Sequence, residues 1–69
     1  MTTLKKLGNN IRSKRKDLGY SQEKLAEYAD VHRTYMGAVE RGEINIAFEN
    51  LNKIAKALKL SVSELTKGL

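Results

Sequence analysis

Two short stretches of helical periodicity, Gln22–Ala29 and residues 32–41, are separated by only Asp30 and Val31. That spacing constrains the fold more than any other feature of the chain. Ser21 offers a side-chain oxygen to open the first stretch, and Gly42 supplies a stop for the second. A turn of two or three residues crosses its helices steeply instead of stacking them antiparallel. The second helix of such a pair is left free to enter a groove, while the first lies across its rim.

The remaining periodicity is also helical. A first helix over about residues 3–18 carries an apolar stripe at Leu4, Leu7, Ile11 and Leu18, and ends at Gly19. A later one over about residues 48–58 turns Leu51, Ile54, Ala55 and Leu58 inward. The last opens with Ser61-Val62-Ser63-Glu64, a capping-box pattern, and carries Val62 and Leu65. The sequence therefore predicts an all-α domain of five helices over residues 1–69, with no strand and no linker.

At 69 residues the chain lies near the lower end of what folds without staples, and it has no Cys to form a disulfide or thiolate site. Helix packing must hold it, aided by a partner subunit. No apolar run approaches the roughly 18 residues needed to cross a membrane, so a reducing cytoplasm, on the nucleoid, is the expected compartment. The net charge of +5 is uneven. Residues 1–16 carry Lys5, Lys6, Arg12, Lys14, Arg15 and Lys16, and no acid precedes Asp17. A basic bias of this kind favours polyanions such as nucleic acid or an anionic membrane surface, and is equally compatible with a merely solvated face.

The third helix divides its labour. At about 100° per residue, Arg33, Thr34, Gly37, Ala38 and Arg41 fall on one arc, and Tyr35, Met36 and Val39 on the other. The second arc belongs to a core. The first is low in profile and headed by Arg33, whose guanidinium can bond O6 and N7 of guanine together. Thr34 can bond a base edge or meet a thymine methyl. Gly37 costs about 1 kcal/mol inside a helix relative to alanine, which asks for a reason: close approach to a ligand, or packing against another helix. Around this base-reading set (Arg33, Thr34, Gly37, Ala38) lie candidate phosphate ligands. Gln22 at the head of the second helix either holds a phosphate with free N–H groups or serves as an ordinary cap. His32 either caps the third helix or meets a phosphate. Tyr35 is a half-buried core residue or a phosphate ligand. Asn45 pins its loop or bonds a DNA backbone. Arg41 completes the arc.

Arg15 sits on the apolar stripe of the first helix, where a charge is costly unless paired. Glu40, beside the core face of the third helix, is its candidate partner; the alternative is that Arg15 snorkels to water. One histidine makes neither a metal cluster nor a nucleophile constellation, and the glycines are too scattered to cradle a phosphate. No enzyme, metal or cofactor is expected.

The run IRSKRKDLGYSQEKLAEYADVHRTYMGAVERG, with Asn45 and LNKIAKAL at 51–58, resembles the Cro/C1-type (XRE) helix-turn-helix family over about residues 7–65. Within that family, VHRTYMGAVERG and the bare five-helix length are most similar to the controller proteins of restriction–modification systems. Phage, plasmid and antitoxin regulators share much of the pattern. The resemblance implies a lambda-repressor-like domain acting as a homodimer on a pseudo-palindromic DNA operator. It carries a phosphate-contacting role to Gln22, base-reading roles to Arg33, Thr34 and Ala38, and the internal ion pair to Arg15 and Glu40. It also implies dimerisation through the last two helices, for which Leu60, Val62, Leu65 and Leu69 are the apolar candidates, and RNA polymerase as a further partner if the protein activates. Two positions depart from the family pattern. Asp30 stands where the turn usually has Gly, and Ala47 stands where Ser or Thr often caps the fourth helix, leaving that start to fray or to be capped from Asn45.

Overall fold

Four of the described helices begin where a side chain accepts one of the N–H groups that the first turn leaves free. Thr2 Oγ1 accepts from the Lys5 amide at 3.2 Å and Ser21 Oγ from the Lys24 amide at 3.0 Å. His32 Nδ1 accepts from the Thr34 amide at 3.1 Å. Ser61 and Glu64 form the full capping box that their spacing predicts. The backbone and hydroxyl of Ser61, both donating to the Glu64 carboxylate, hold that group below the usual carboxylate range. The computed structural model describes residues 2–69. Its helices are α1 (Thr3–Asp17), α2 (Gln22–Ala29), α3 (Arg33–Glu40), α4 (Phe48–Ala57) and α5 (Val62–Leu65). No strand occurs among the described residues, and the all-α, five-helix architecture is the one the sequence predicts.

The two departures resolve differently. Asp30 adopts the left-handed conformation, φ 56° and ψ 48°, that the turn after α2 requires; its short polar side chain makes it one of the few non-glycine residues that tolerate this region. Ala47 provides no side-chain cap to α4, and Asn45 does not supply one. That start is held by what α4 buries further along.

α2 packs against both α3 and α4, α1 packs against α3 and α5, and α4 packs against α5. The enclosed core centres on Ile11, Leu25, Met36, Ile54, Leu58 and Leu65. Leu65 departs from the sequence expectation. Its apolar character suggests a place between two copies, yet it is 2% exposed and belongs to the core of its own subunit. α5 is a single turn laid against α1, where Asn10 Nδ2 donates to the carbonyls of Leu65 and Lys67, so the one large apolar side chain at its end points inward. Leu60 and Val62 are half-buried at the edge of the same core, and Leu69 is exposed.

Glycine governs one helix contact directly. A Cβ on Gly8 would lie 2.8 Å from the Val39 carbonyl oxygen and closer still to that of Glu40. α1 therefore rests on the C-terminal backbone of α3 with no side chain between them.

Candidate nucleic-acid interface

The start of α2 and the outer arc of α3 enclose an open cleft of about 460 Å³, lined by Ser21, Gln22, Glu23, Arg33, Thr34, Gly37 and Arg41. Of the residues expected to read bases or hold phosphates, the fold brings Gln22, Arg33, Thr34, Gly37 and Arg41 into this one wall.

Arg33 projects from the first turn of α3 with its side chain 68% exposed, and its guanidinium lies 3.8 Å from the Glu23 carboxylate across the cleft. An exposed pair at that separation is worth less than about 1 kcal/mol, so it orients Arg33 without sequestering it. Thr34 beside it is exposed. Arg41 meets Glu43 at 3.0 Å. The guanidinium bonded to it holds the Glu43 carboxyl below the ordinary range, and Glu43 in turn raises Arg41.

Gly37 is a correction to the sequence reading. Helical angles predict it bare on the exposed arc, but it is buried, with Arg41 Nη1 3.0 Å and Gln22 Oε1 3.5 Å from where its Cβ would be. Both covering atoms are the ends of flexible side chains, so glycine here makes a notch that Arg41 and Gln22 fill. Ala38, next on the arc, is half-buried.

Behind the cleft stands the ion pair. Arg15 Nε and Nη2 donate to the two Glu40 carboxylate oxygens at 2.7 and 3.0 Å, and Arg15 Nη1 donates to the Tyr20 carbonyl at 2.8 Å. The Glu40 side chain is only 2% exposed and accepts a third bond, from Gln22 Nε2 at 3.1 Å. Three donors on one buried carboxylate satisfy it fully, and they fasten α1, the start of α2 and the end of α3 together. Arg15 does not snorkel. Gln22, expected at the phosphate edge, has one amide hydrogen committed to this network and one left for an outside acceptor.

The other candidate phosphate ligands lie outside the cleft wall. His32 spends Nδ1 on capping α3. Tyr35 is half-buried against the core and its hydroxyl accepts from Asn50 Nδ2 at 3.1 Å, leaving the O–H proton available. Asn45 is exposed in the loop after α3. Sequence reasoning misses Glu23 and Glu43, the two carboxylates that meet the cleft arginines. The signal for Glu43 is its place two residues beyond Arg41; for Glu23 it is an acid in the first turn of α2, facing the helix that follows. Among the described residues no group of His, Asp or Glu could hold a metal ion, and no helix is long and apolar enough to cross a membrane.

Two short helices, α2 and α3, joined by the turn at residues 30–32 and packed on each other, with a polar cleft between them and an internal ion pair behind it, define a helix-turn-helix protein. The helix-turn-helix family model HTH_3 matches residues 11–65, and the chain belongs to that family. The control protein C.SmaI of Serratia marcescens is 49% identical over 59 residues, which cover 86% of this chain and 70% of that protein. The crystal structure of the restriction–modification controller protein C.AhdI from Aeromonas hydrophila superposes with a TM-score of 0.88 at 42% identity, covering 90% of this chain and 94% of that one. The biofilm regulator SinR, solved in complex with DNA, superposes with a TM-score of 0.81 at 37% identity over 86% of this chain and 95% of that one.

Proposed function

We propose that the protein is a sequence-specific double-stranded DNA-binding transcriptional regulator of the restriction–modification controller type, acting as a homodimer on a pseudo-palindromic operator. The observation that carries this reading is the cleft itself. An exposed guanidinium and a hydroxyl stand at the head of α3, on a helix whose opposite face is buried and whose end is fastened to α1 and α2 through Glu40. A rigidly mounted, low-profile helix of this kind suits the major groove.

In this mechanism Arg33 reads a guanine edge and Thr34 a neighbouring base, with Gly37 and Ala38 keeping the helix low. Gln22, Arg41, His32, Tyr35 and Asn45 hold phosphates and set the register. The second copy follows from size. The longest extent of one subunit is 26 Å, shorter than the roughly 34 Å between successive major-groove faces on one side of the duplex, so reading both half-sites takes two subunits. Leu60, Val62 and Leu69 supply the contact between them. Regulation is then by mass action on dimer concentration, with RNA polymerase as a further partner where the bound dimer activates. In this reading the protein works by binding, and His32 contributes to it as the cap that starts α3.

The test is selection of bound sequences from a random duplex library, with the complex sized by light scattering. An enriched pseudo-palindrome held by two subunits is the expected result. Binding that tracks salt with no enrichment would overturn the reading and favour a protein partner, as in an antitoxin-type interaction module.

A further inference from the structure

We propose that the outer stripe of α1, centred on Arg12 and Lys16, is a second binding site for the phosphodiester backbone of double-stranded DNA, flanking the groove read by the α2–α3 cleft. The proposal rests on the reading of the cleft as a DNA interface and adds a surface to it.

The cleft is internally compensated. Arg33 faces Glu23, Arg41 faces Glu43, and Arg15 is spent on Glu40. On α1, Lys14 lies close enough to Glu64 and Lys5 close enough to Glu43 to lower those carboxyls. Arg12 and Lys16 are different: both are exposed, and neither forms an ion pair with any described carboxylate. With Asn9 and Ser13 they line an open groove of about 310 Å³. The positive charge that the reading cleft neutralises within itself is thus left unneutralised on this stripe.

Position supports a shared ligand. Gly8 and Arg15 mark the row of α1 that touches the end of α3, and Arg15 also grips the Tyr20 carbonyl just ahead of α2. Arg12 lies about 40° around α1 from Gly8 and about 60° from Arg15, on the adjoining row. The stripe is therefore a lateral continuation of the surface that presents Gln22 and α3. Arg12 and Lys16 are one turn apart, about 6 Å of helix rise. That lets each meet a different phosphate on a strand whose charges recur every 3.4 Å or so of axis.

Each phosphate that a cationic side chain neutralises adds about 0.9 to the steepness with which log affinity falls against log salt, so an Arg12→Gln/Lys16→Gln double variant should be shallower by about 1.8 per bound subunit, about 3.6 for a bound dimer. The change per bound subunit should be equal on the selected operator and on a random duplex, and at equal stoichiometry operator preference should stay within about twofold, because phosphates carry no sequence information. A Lys53→Gln/Lys56→Gln variant removes the same charge from the groove beside Tyr28, at the far end of α2 from the cleft, and should keep the parent slope. All four positions carry side chains outside the core, so the thermal unfolding of each variant should match the parent. A parent-like slope in Arg12→Gln/Lys16→Gln overturns the proposal, as does an equal change in the Lys53/Lys56 variant, which would reduce the effect to net charge. If the parent itself binds no duplex, the reading of the cleft fails as well; if the parent binds and the α1 variant keeps its slope, this site alone fails.

Discussion

Arg33 and Arg15 carry the same guanidinium in opposite surroundings, and their surroundings decide their work. Arg33 is loosely held by an exposed carboxylate 3.8 Å away, a partner that a guanine edge can replace at little cost. Arg33→Ala should therefore erase the preference for operator over random duplex while leaving weak, salt-sensitive binding; titration of both duplexes by gel shift checks this, and parent-like operator affinity would refute it. Arg15 is only 11% exposed and grips Glu40 with two hydrogen bonds. Arg15→Ala leaves a buried carboxylate with Gln22 as its sole donor, at a cost of about 3–5 kcal/mol. In a domain this small that lowers the melting temperature by well over 10 °C on the usual scale of about 4–8 °C per kcal/mol, measurable by thermal unfolding followed by circular dichroism. The pair is legible in the sequence because a charge on an apolar stripe demands a partner, and periodicity puts Glu40 within reach. The cover over Gly37 is not legible. Helical angles place residues on faces but say nothing of where the ends of Arg41 and Gln22 come to rest, and those two ends decide whether the notch is open.

At the scale of elements, the order and type of all five helices can be read from apolar spacing, sharpened by the serines that open α2 and α5 and the glycines that follow α1 and α3, because each of those signals is local. The small differences are at the ends. His32 and Arg41 stand outside α3 as its caps, and Leu18 caps α1 in place of continuing it. What the sequence does not reveal is which glycine sits at a helix crossing, since that depends on a backbone some thirty residues away. Gly8 and Gly37 look alike in the chain and differ in the fold. A Cβ at Gly8 would strike the backbone carbonyls of Val39 and Glu40, whereas at Gly37 it would meet only movable side-chain ends. Gly8→Ala should push α1 off α3 and cost about 1–3 kcal/mol, as overpacking does. Gly37→Ala should hold or raise the melting temperature, since alanine is favoured by up to about 1 kcal/mol inside a helix, yet weaken operator binding by lifting the side chains that fill the notch. Paired melting curves and operator titrations separate the two. A Gly8→Ala variant as stable as the parent would refute the close α1–α3 contact.

For the whole molecule, the apolar surface left after folding decides how the two copies of the proposed homodimer would meet. With Leu65 consumed by the core, the C-terminal edge retains the exposed Leu69 and the half-buried Leu60 and Val62, while Phe48, 71% exposed at the start of α4, is another large apolar side chain left in solvent. Burying a leucine side chain is worth about 1.5–3 kcal/mol, and a two-fold interface counts each residue twice. Leu69→Glu replaces that gain by two charges brought together, so the dimer should dissociate at protein concentrations at least about tenfold higher than the parent does. Because operator binding draws on the dimer, the midpoint of operator titration should move the same way, while the affinity of a single subunit for random duplex stays as it was. Light scattering across a dilution series, run beside the DNA titrations, measures all three quantities. Phe48→Ser provides the comparison. If that change splits the dimer and Leu69→Glu does not, the two copies meet at the start of α4, and the assignment of the contact to Leu60, Val62 and Leu69 is wrong.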